Sequence, residues 1–314
     1  MPEANQRQLL SGIEWNNLII LDACRYDTFQ RIWSRVEKVM EVISPASWTL
    51  EWLDRVFGNA FIDAEVFSAT PYINSLTEIN LYGIRWNAKK HFSKIIDLWL
   101  TAWDYRMGTV PPEKVYLAVV THTISTKLMK KSVHKKKIIW FLQPHYPYIS
   151  KRFLSLIKEH VQELTYMDFL TGKAERLLTE ILKNIAIKNI DELTKAYEET
   201  LEKTLRYVYK LIDRLDGVTI VTSDHGELLG ENILLQVLST IINLMMQCIK
   251  EGTSIYISRR LRILTHLPKR ILYNAKMNPE NSVGASYIAG GKVFFHPPIL
   301  YSTTLRRVPF VLIK

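Results

Sequence analysis

A short β-branched run, Val218-Thr219-Ile220-Val221-Thr222-Ser223, ends abruptly in Asp224-His225-Gly226-Glu227. In this way a buried strand hands two metal-competent side chains to its C-terminal end, where open α/β sheets bind ligands. Asp supplies a hard oxygen and His a borderline nitrogen, a mixture that suits zinc or manganese ahead of calcium. Gly226 lets the backbone turn sharply or approach a ligand closely. An ordinary polar turn can carry the same letters, so the chemical reading depends on partners elsewhere in the chain.

Several partners are in place. The apolar run Asn17-Leu18-Ile19-Ile20-Leu21 reads as a central strand and ends in Asp22-Ala23-Cys24-Arg25-Tyr26-Asp27, so Asp22 is a second carboxylate at a sheet edge. Asp27 reads as the N-cap of a helix through Phe29, Ile32, Trp33 and Val36, with Arg25 as its surface partner. A second strand, Val39 to Ile43, runs into Ser44-Pro45-Ala46-Ser47-Trp48-Thr49-Leu50 and a helix that stops at Gly58. A hydroxyl at such a junction is either a cap or a nucleophile held where free N–H groups favour an anion. Ser44, Ser47 and Thr49 compete for that role. The strand Ile138 to Leu142 ends in Gln143-Pro144-His145-Tyr146-Pro147, a stiff loop holding one imidazole at the same edge. His296 follows Val293-Phe294-Phe295. His91 and His122 stand alone and read as structural.

The elements that must position these groups alternate between strand and helix, which predicts an α/β fold with a mostly parallel central sheet. Phe61 to Thr70 is a further strand, and Leu305 to Ile313 a terminal one. Leu76 to Lys114, rich in Trp, reads as helical packing and a substrate-side wall. A long amphipathic helix from Asp191 to Leu215 leads to the Asp-His strand. Along Ile233 to Ile249 the polar Gln236, Thr240, Asn243 and Gln247 recur at helical spacing, and a basic stretch from Lys250 to Lys276 follows. Such a helix is either buried within an insertion or laid on an anionic membrane; burial is the expectation.

Composition bounds the partners. The 314 residues are 47% hydrophobic and 23% charged, ordinary for a globular chain. A single domain over 1–314 is expected, with a helical insertion at about 231–291. A formal charge of +10 and a pI near 9.4 favour anionic partners: phosphate or sulfate esters, or a peripheral contact with an anionic membrane. No nucleic-acid module is present, so specific nucleic-acid binding is not expected. Cys24 and Cys248 lie too far apart in sequence to suggest a disulfide framework. With no signal-peptide pattern and no uninterrupted span, a cytoplasmic or membrane-peripheral location is expected.

Together these pieces resemble the alkaline phosphatase superfamily, in its sulfatase-like branch. The carriers are Leu21 to Asp27, Ser44 to Leu50, Pro144-His145-Tyr146-Pro147, Thr222 to Glu227, and His296 with Arg307-Val308-Pro309-Phe310. Their order is the family's order and runs along nearly the whole chain. The resemblance implies helices on both faces of the sheet. It also implies a divalent metal held by Asp22, Asp224 and His225, with the oxygen of Thr49 as nucleophile and further ligand. Ser47 and Ser44 are the fallback nucleophiles. A formylglycine mechanism is disfavoured, since the nucleophile position is Thr rather than Cys. The residues after it, Leu50-Glu51-Trp52, are bulkier than the family's small polar ones. His145 and His296 are expected to bind the ester oxygens, protonate the leaving group or share in a second metal site, while Arg25 braces Asp22. The expected activity is hydrolysis of phosphate esters, with sulfate esters behind, through a covalent Thr49 ester. The alternatives are transfer of a phospho-headgroup to a lipid or glycan, and a degenerate member that binds anions without turnover.

Overall fold

The structure is a computed structural model that describes residues 4–129, 136–157, 190–251, 288–289, 292–297 and 300–314. In chain order, α1 (Gln6–Gly12) leads to β1 (Asn17–Asp22), α2 (Tyr26–Ile32), β2 (Met40–Ile43), α3 (Thr49–Phe57) and β3 (Ile62–Ser68). A hairpin of β4 (Ile79–Leu81) and β5 (Ile84–Trp86) precedes β6 (Phe92–Asp97), α4 (Leu98–Thr101), α5 (Pro112–Leu128), β7 (Lys136–Pro144) and α6 (Lys151–Ile157). Then come α7 (Ile190–Ile212), β8 (Thr219–Ser223), β9 (Leu228–Asn232) and α8 (Ile233–Glu251). The described chain closes with β10 (Ile288–Ala289), β11 (Lys292–Phe295), α9 (Thr303–Arg306) and β12 (Arg307–Ile313).

Seven strands form the central sheet in the order β2-β12-β8-β1-β7-β3-β6. The pairs of β1 with β7 and β8, and of β3 with β6 and β7, are parallel; β12 is antiparallel to both of its neighbours. Every strand but β12 therefore ends at one edge. Alternation along β1 sends Leu18 and Ile20 to one face and Ile19 and Leu21 to the other. The first face packs under α1 and α3 through Leu10, Trp52, Leu53 and Phe57. The second packs under α2, α5 and α7 through Phe29, Val115, Val119, Leu201 and Val208. The expected α/β architecture, a mostly parallel sheet with helices on both faces, is what forms.

Four local expectations are corrected. The segment Leu76 to Lys114 is not chiefly helical: it forms the β4–β5 hairpin and the edge strand β6 before its helices begin. The helix after β1 stops at Ile32, leaving Val36 wholly exposed. Arg25, not Asp27, occupies its N-cap, and Asp27 lies in the first turn. Helix α8 is turned inside out relative to expectation. It buries Gln236 and Thr240 and exposes Leu234, Leu235, Leu238, Ile242, Met245 and Met246. Its inward polar face serves the backbone: Thr240 accepts from the Tyr301 N–H, and Asn243 donates to the Tyr301 carbonyl. The basic stretch beyond Glu251 lies almost wholly outside the described residues.

The end of β8 is wedged against α9. The Gly226 N–H donates to the Leu305 carbonyl at 2.7 Å, and a Cβ on Gly226 would stand 2.6 Å from the Thr304 carbonyl oxygen. Gly226→Ala should destabilise the fold by roughly 1–3 kcal/mol, the usual cost of overpacking. Urea unfolding of the variant beside wild type measures it; an unchanged midpoint would mean that α9 yields freely.

Candidate metal centre and active site

The central sheet delivers most of the groups singled out in the sequence from the C-terminal ends of its strands, while His296 follows β11 of the small three-stranded sheet. Asp22 ends β1, Asp224 and His225 follow β8, and His145 follows β7. Thr49 is the first residue of α3, reached from β2. The Thr49 Oγ1 lies 2.8 Å from Asp224 Oδ2, 3.3 Å from His225 Nε2 and 3.5 Å from Asp22 Oδ1. His225 Nε2 lies 3.2 Å from Asp224 Oδ2 and 3.7 Å from Asp22 Oδ1. All four residues are buried.

These distances resemble the edges of a coordination tetrahedron. Metal–ligand bonds of about 2.0–2.2 Å imply ligand–ligand edges of roughly 3.3–3.6 Å, and the separations here bracket that length. The atoms facing inward are also the ones left free. Asp224 Oδ1 is taken by the N–H groups of Ala23 and His225, at 3.1 and 2.9 Å, which leaves Oδ2 for the cage. Asp22 Oδ2 accepts from Trp140 Nε1 at 3.1 Å, leaving Oδ1. His225 Nδ1 lies 2.8 Å from the Gly226 carbonyl and donates to it, leaving Nε2. Tying the far atom of each ligand is how outer groups orient a metal site. The donor set fits a divalent cation.

Ala23 makes one of those ties by adopting φ +59°, an uncommon conformation for a residue with a Cβ. The Tyr197 hydroxyl holds that turn, donating to the Ala23 carbonyl at 2.9 Å and accepting from the Arg25 N–H at 2.8 Å. Arg25 does not brace Asp22 as expected. Its guanidinium pairs with Asp27 and Glu231.

Charge in the cage is one-sided without a cation. Burial and the neighbouring Asp224 charge push the Asp22 carboxyl well above the usual carboxylate range. Burial works against His225 carrying a proton, but the two carboxylates overcome it and raise the imidazole to about 9. Burial likewise opposes the Asp224 charge, yet His225 and the Thr49 hydrogen bond hold that carboxyl below its usual value. The metal-free cage therefore keeps a proton where a cation would sit. His145 is the opposite case: burial lowers it to about 4, so its ring is neutral at pH 7. Burial and the two other imidazoles lower His296 as well.

The remaining hydroxyls are occupied elsewhere. Ser44 Oγ donates to the Asp224 carbonyl and Ser47 Oγ to the Leu300 carbonyl. Of the three competitors Thr49 is the one whose oxygen lies in the cage. The bulk after Thr49 points away: Trp52 Nε1 donates to Gln6 Oε1 at 2.8 Å, and Glu51 pairs with Arg55 at 3.1 Å. The His145 and His296 rings meet at a tilt with centroids 4.8 Å apart, and the His296 centroid lies 4.3 Å from that of His225. Both line a cavity shared with Asp22 and Thr49. Of the histidines read as structural, His91 stacks on Trp86, and His122 sits beside Glu65 and Lys94.

Two contributors were missed. Trp140 sits in the middle of an apolar strand, where nothing signals a hydrogen bond to a carboxylate. Glu227 is fully buried with neither oxygen hydrogen-bonded, and its Oε2 lies 3.5 Å from His296 Nδ1. Its place two residues beyond His225 was the available signal.

No protein-family profile and no curated protein matches the chain. Solved structures do. The chain is similar to the soluble domain of lipooligosaccharide phosphoethanolamine transferase A from Neisseria meningitidis. There the identity is 11% and the TM-score 0.44, over 95% of this chain and 76% of that one. Against the integral membrane form of that transferase the identity is 12% and the TM-score 0.43, over 99% of this chain. The match spans 51% of the longer protein, about half its length. A protein in the alkaline phosphatase superfamily from Vibrio parahaemolyticus matches at 10% identity and TM-score 0.32, over 68% of this chain and 54% of that one. TM-scores below 0.5 fall short of arguing function, so the site stands on its own geometry.

Metal binding must displace the His225 proton, so affinity should rise with pH up to about 9 and then flatten. Calorimetry with zinc or manganese at pH 7.5, in buffers of different ionisation heat, should show at least one proton released per metal. Trp140→Phe, which removes the tie on Asp22, should weaken metal binding roughly 10–100-fold.

Proposed function

We propose that this chain is a metal-dependent enzyme of phosphoester chemistry that forms a covalent ester on Thr49. The observation that carries the proposal is the position of the Thr49 hydroxyl. It sits among Asp224, His225 and Asp22 at the first turn of α3, a helix end that favours anions. Asp22, Thr49, Asp224 and His225 would hold a divalent cation, zinc or manganese by the donor set, which would lower the hydroxyl pKa and screen the charge of an incoming ester.

The residues then divide the work. With Asp224 Oδ2 committed as a ligand, the Thr49 proton would pass to solvent through the cavity as the oxygen ionises. The Oγ1–P bond forms as the bond from phosphorus to the departing alcohol breaks. His296 faces the same cavity and is placed to protonate that alcohol. Glu227 stands behind its Nδ1, and burial raises the Glu227 carboxyl well above its usual range, which keeps a proton at hand. The His145 Nδ1–H donates to the Tyr146 carbonyl, so Nε2 is left as an acceptor. It takes the proton of the water or alcohol whose oxygen bonds phosphorus as the Oγ1–P bond breaks, and proton exchange with solvent restores Thr49, His145 and Glu227.

Resolution by water is hydrolysis and resolution by an alcohol is transfer; the site accommodates both. The exposed apolar face of α8 favours the second reading, a headgroup transferase working against an anionic bilayer, given the cationic chain and the basic residues that follow that helix. Among the described residues no helix is long and apolar enough to cross a membrane. Leu238→Asp with Ile242→Asp should abolish co-sedimentation with vesicles containing anionic lipid. Wild type that ignores such vesicles would remove the membrane reading and leave hydrolysis.

Thr49→Ala should lower turnover of aryl phosphate esters by at least about 1000-fold while the protein stays folded, whereas Thr49→Ser should retain part of it. Intact-mass spectrometry of acid-quenched wild type should show the phosphoryl adduct, absent from Thr49→Ala. Full activity in Thr49→Ala would sink the nucleophile assignment.

A further inference from the structure

The cavity that opens on Thr49 is much larger than a phosphoryl group needs. It measures about 640 Å³, a volume within the usual range for whole small-molecule ligands. One end holds Asp22, Thr49, His145 and His296. Away from that end the wall comes from the region between β3 and α5: Tyr72 and Leu76, Ile79 and Leu81 of the hairpin, and Trp99 and Trp103. Thr70, Asn74 and Thr77 also line it, but their side-chain polar atoms bond nearby backbone, and Asn80 is exposed on the hairpin. None of the described residues lining it is Lys, Arg or Glu, and Asp22 at the reacting end is its one Asp.

That lining is selective. A sugar phosphate or nucleotide would have to leave its hydroxyls or extra charges against indole rings and leucines, at the cost of lost hydration. An apolar group gains by leaving water there. The rim points the same way. Leu76 is 58% exposed and Leu100, also on the lining, 51% exposed, while the indoles behind them are buried. An apolar floor with an apolar lip differs from a deep pocket ringed by polar groups.

Resting on the phosphoester reading above, we infer that the substrate is amphiphilic: a phosphoester at Thr49 whose apolar alkyl or aryl group fills this cavity. The apolar group can come from a lipid or from a soluble aromatic alcohol, and the two are separable by experiment.

The probe is a series of 4-nitrophenyl alkyl phosphate diesters, methyl, butyl and octyl, with metal-loaded full-length protein. The kcat/KM should rise with chain length, by roughly threefold to fourfold for each methylene that becomes fully buried. Leu76→Asp with Leu100→Asp, both at exposed positions that the fold tolerates, should flatten that dependence. A flat series in wild type would overturn the inference. So that failed chemistry is distinguishable, the same chain lengths are tested as non-reacting alkyl phosphates, with tryptophan fluorescence as the readout. Chain-length-dependent binding that is lost in the double variant, with no ester turned over, would keep the cavity's role and reject the phosphoester reading. Binding equal to that of inorganic phosphate would reject the cavity's role. Faster turnover of phosphatidyl esters in mixed micelles than of naphthyl phosphate identifies a lipid source, and the reverse order an aromatic one.

Discussion

Two carboxylates in one dry pocket need a positive charge between them, and much of this molecule is arranged around that requirement. Asp22 and Asp224 end adjacent parallel strands, so the sheet itself forces them together. Moving either to solvent would mean breaking the β1–β8 register. Instead, backbone N–H groups, an indole and a carbonyl each take one atom of a ligand and leave the other free. Such outer ties cost little in the folded state, and they set the cage before any ion arrives. The two carboxylates raise the His225 imidazole to about 9, so it can carry the positive charge between them.

The parts legible from sequence were those where a buried strand stops at a charged residue. Leu21-Asp22, Ser223-Asp224-His225 and Pro144-His145 each mark an abrupt change from apolar run to polar loop, and such a change in a parallel sheet has one geometric meaning. Thr49 was harder, because Ser44, Ser47 and Thr49 look alike in sequence. Only the hydrogen bonds to the carbonyls of Asp224 and Leu300 distinguish the two serines from it. Trp140 was illegible because its role depends on which way one indole nitrogen points.

The misread regions share a physical cause. Between Leu76 and Lys114 the strands are short, and aromatic residues suit helix and sheet surfaces equally, so periodicity does not separate the two. In α8 periodicity showed two faces but not which one turns inward. The inward face was decided by the unpaired backbone groups around Tyr301, which Thr240 and Asn243 satisfy. The two hydrogen bonds account for the polar face turning inward and not for the apolar face turning outward, since about 1 kcal/mol per bond is less than burying those side chains would contribute.

Strand β2 joins the sheet through β12, and an isolated bridge ties its Ile43 to Asn5 ahead of α1. The loop bearing Thr49 is thus anchored in part by residues 307–313, beside the Ser44 and Ser47 hydroxyls on the Asp224 and Leu300 carbonyls. Loss of those last residues would free β2 and the approach to Thr49, while the β1–β8 pair that carries Asp22 and Asp224 has its own register.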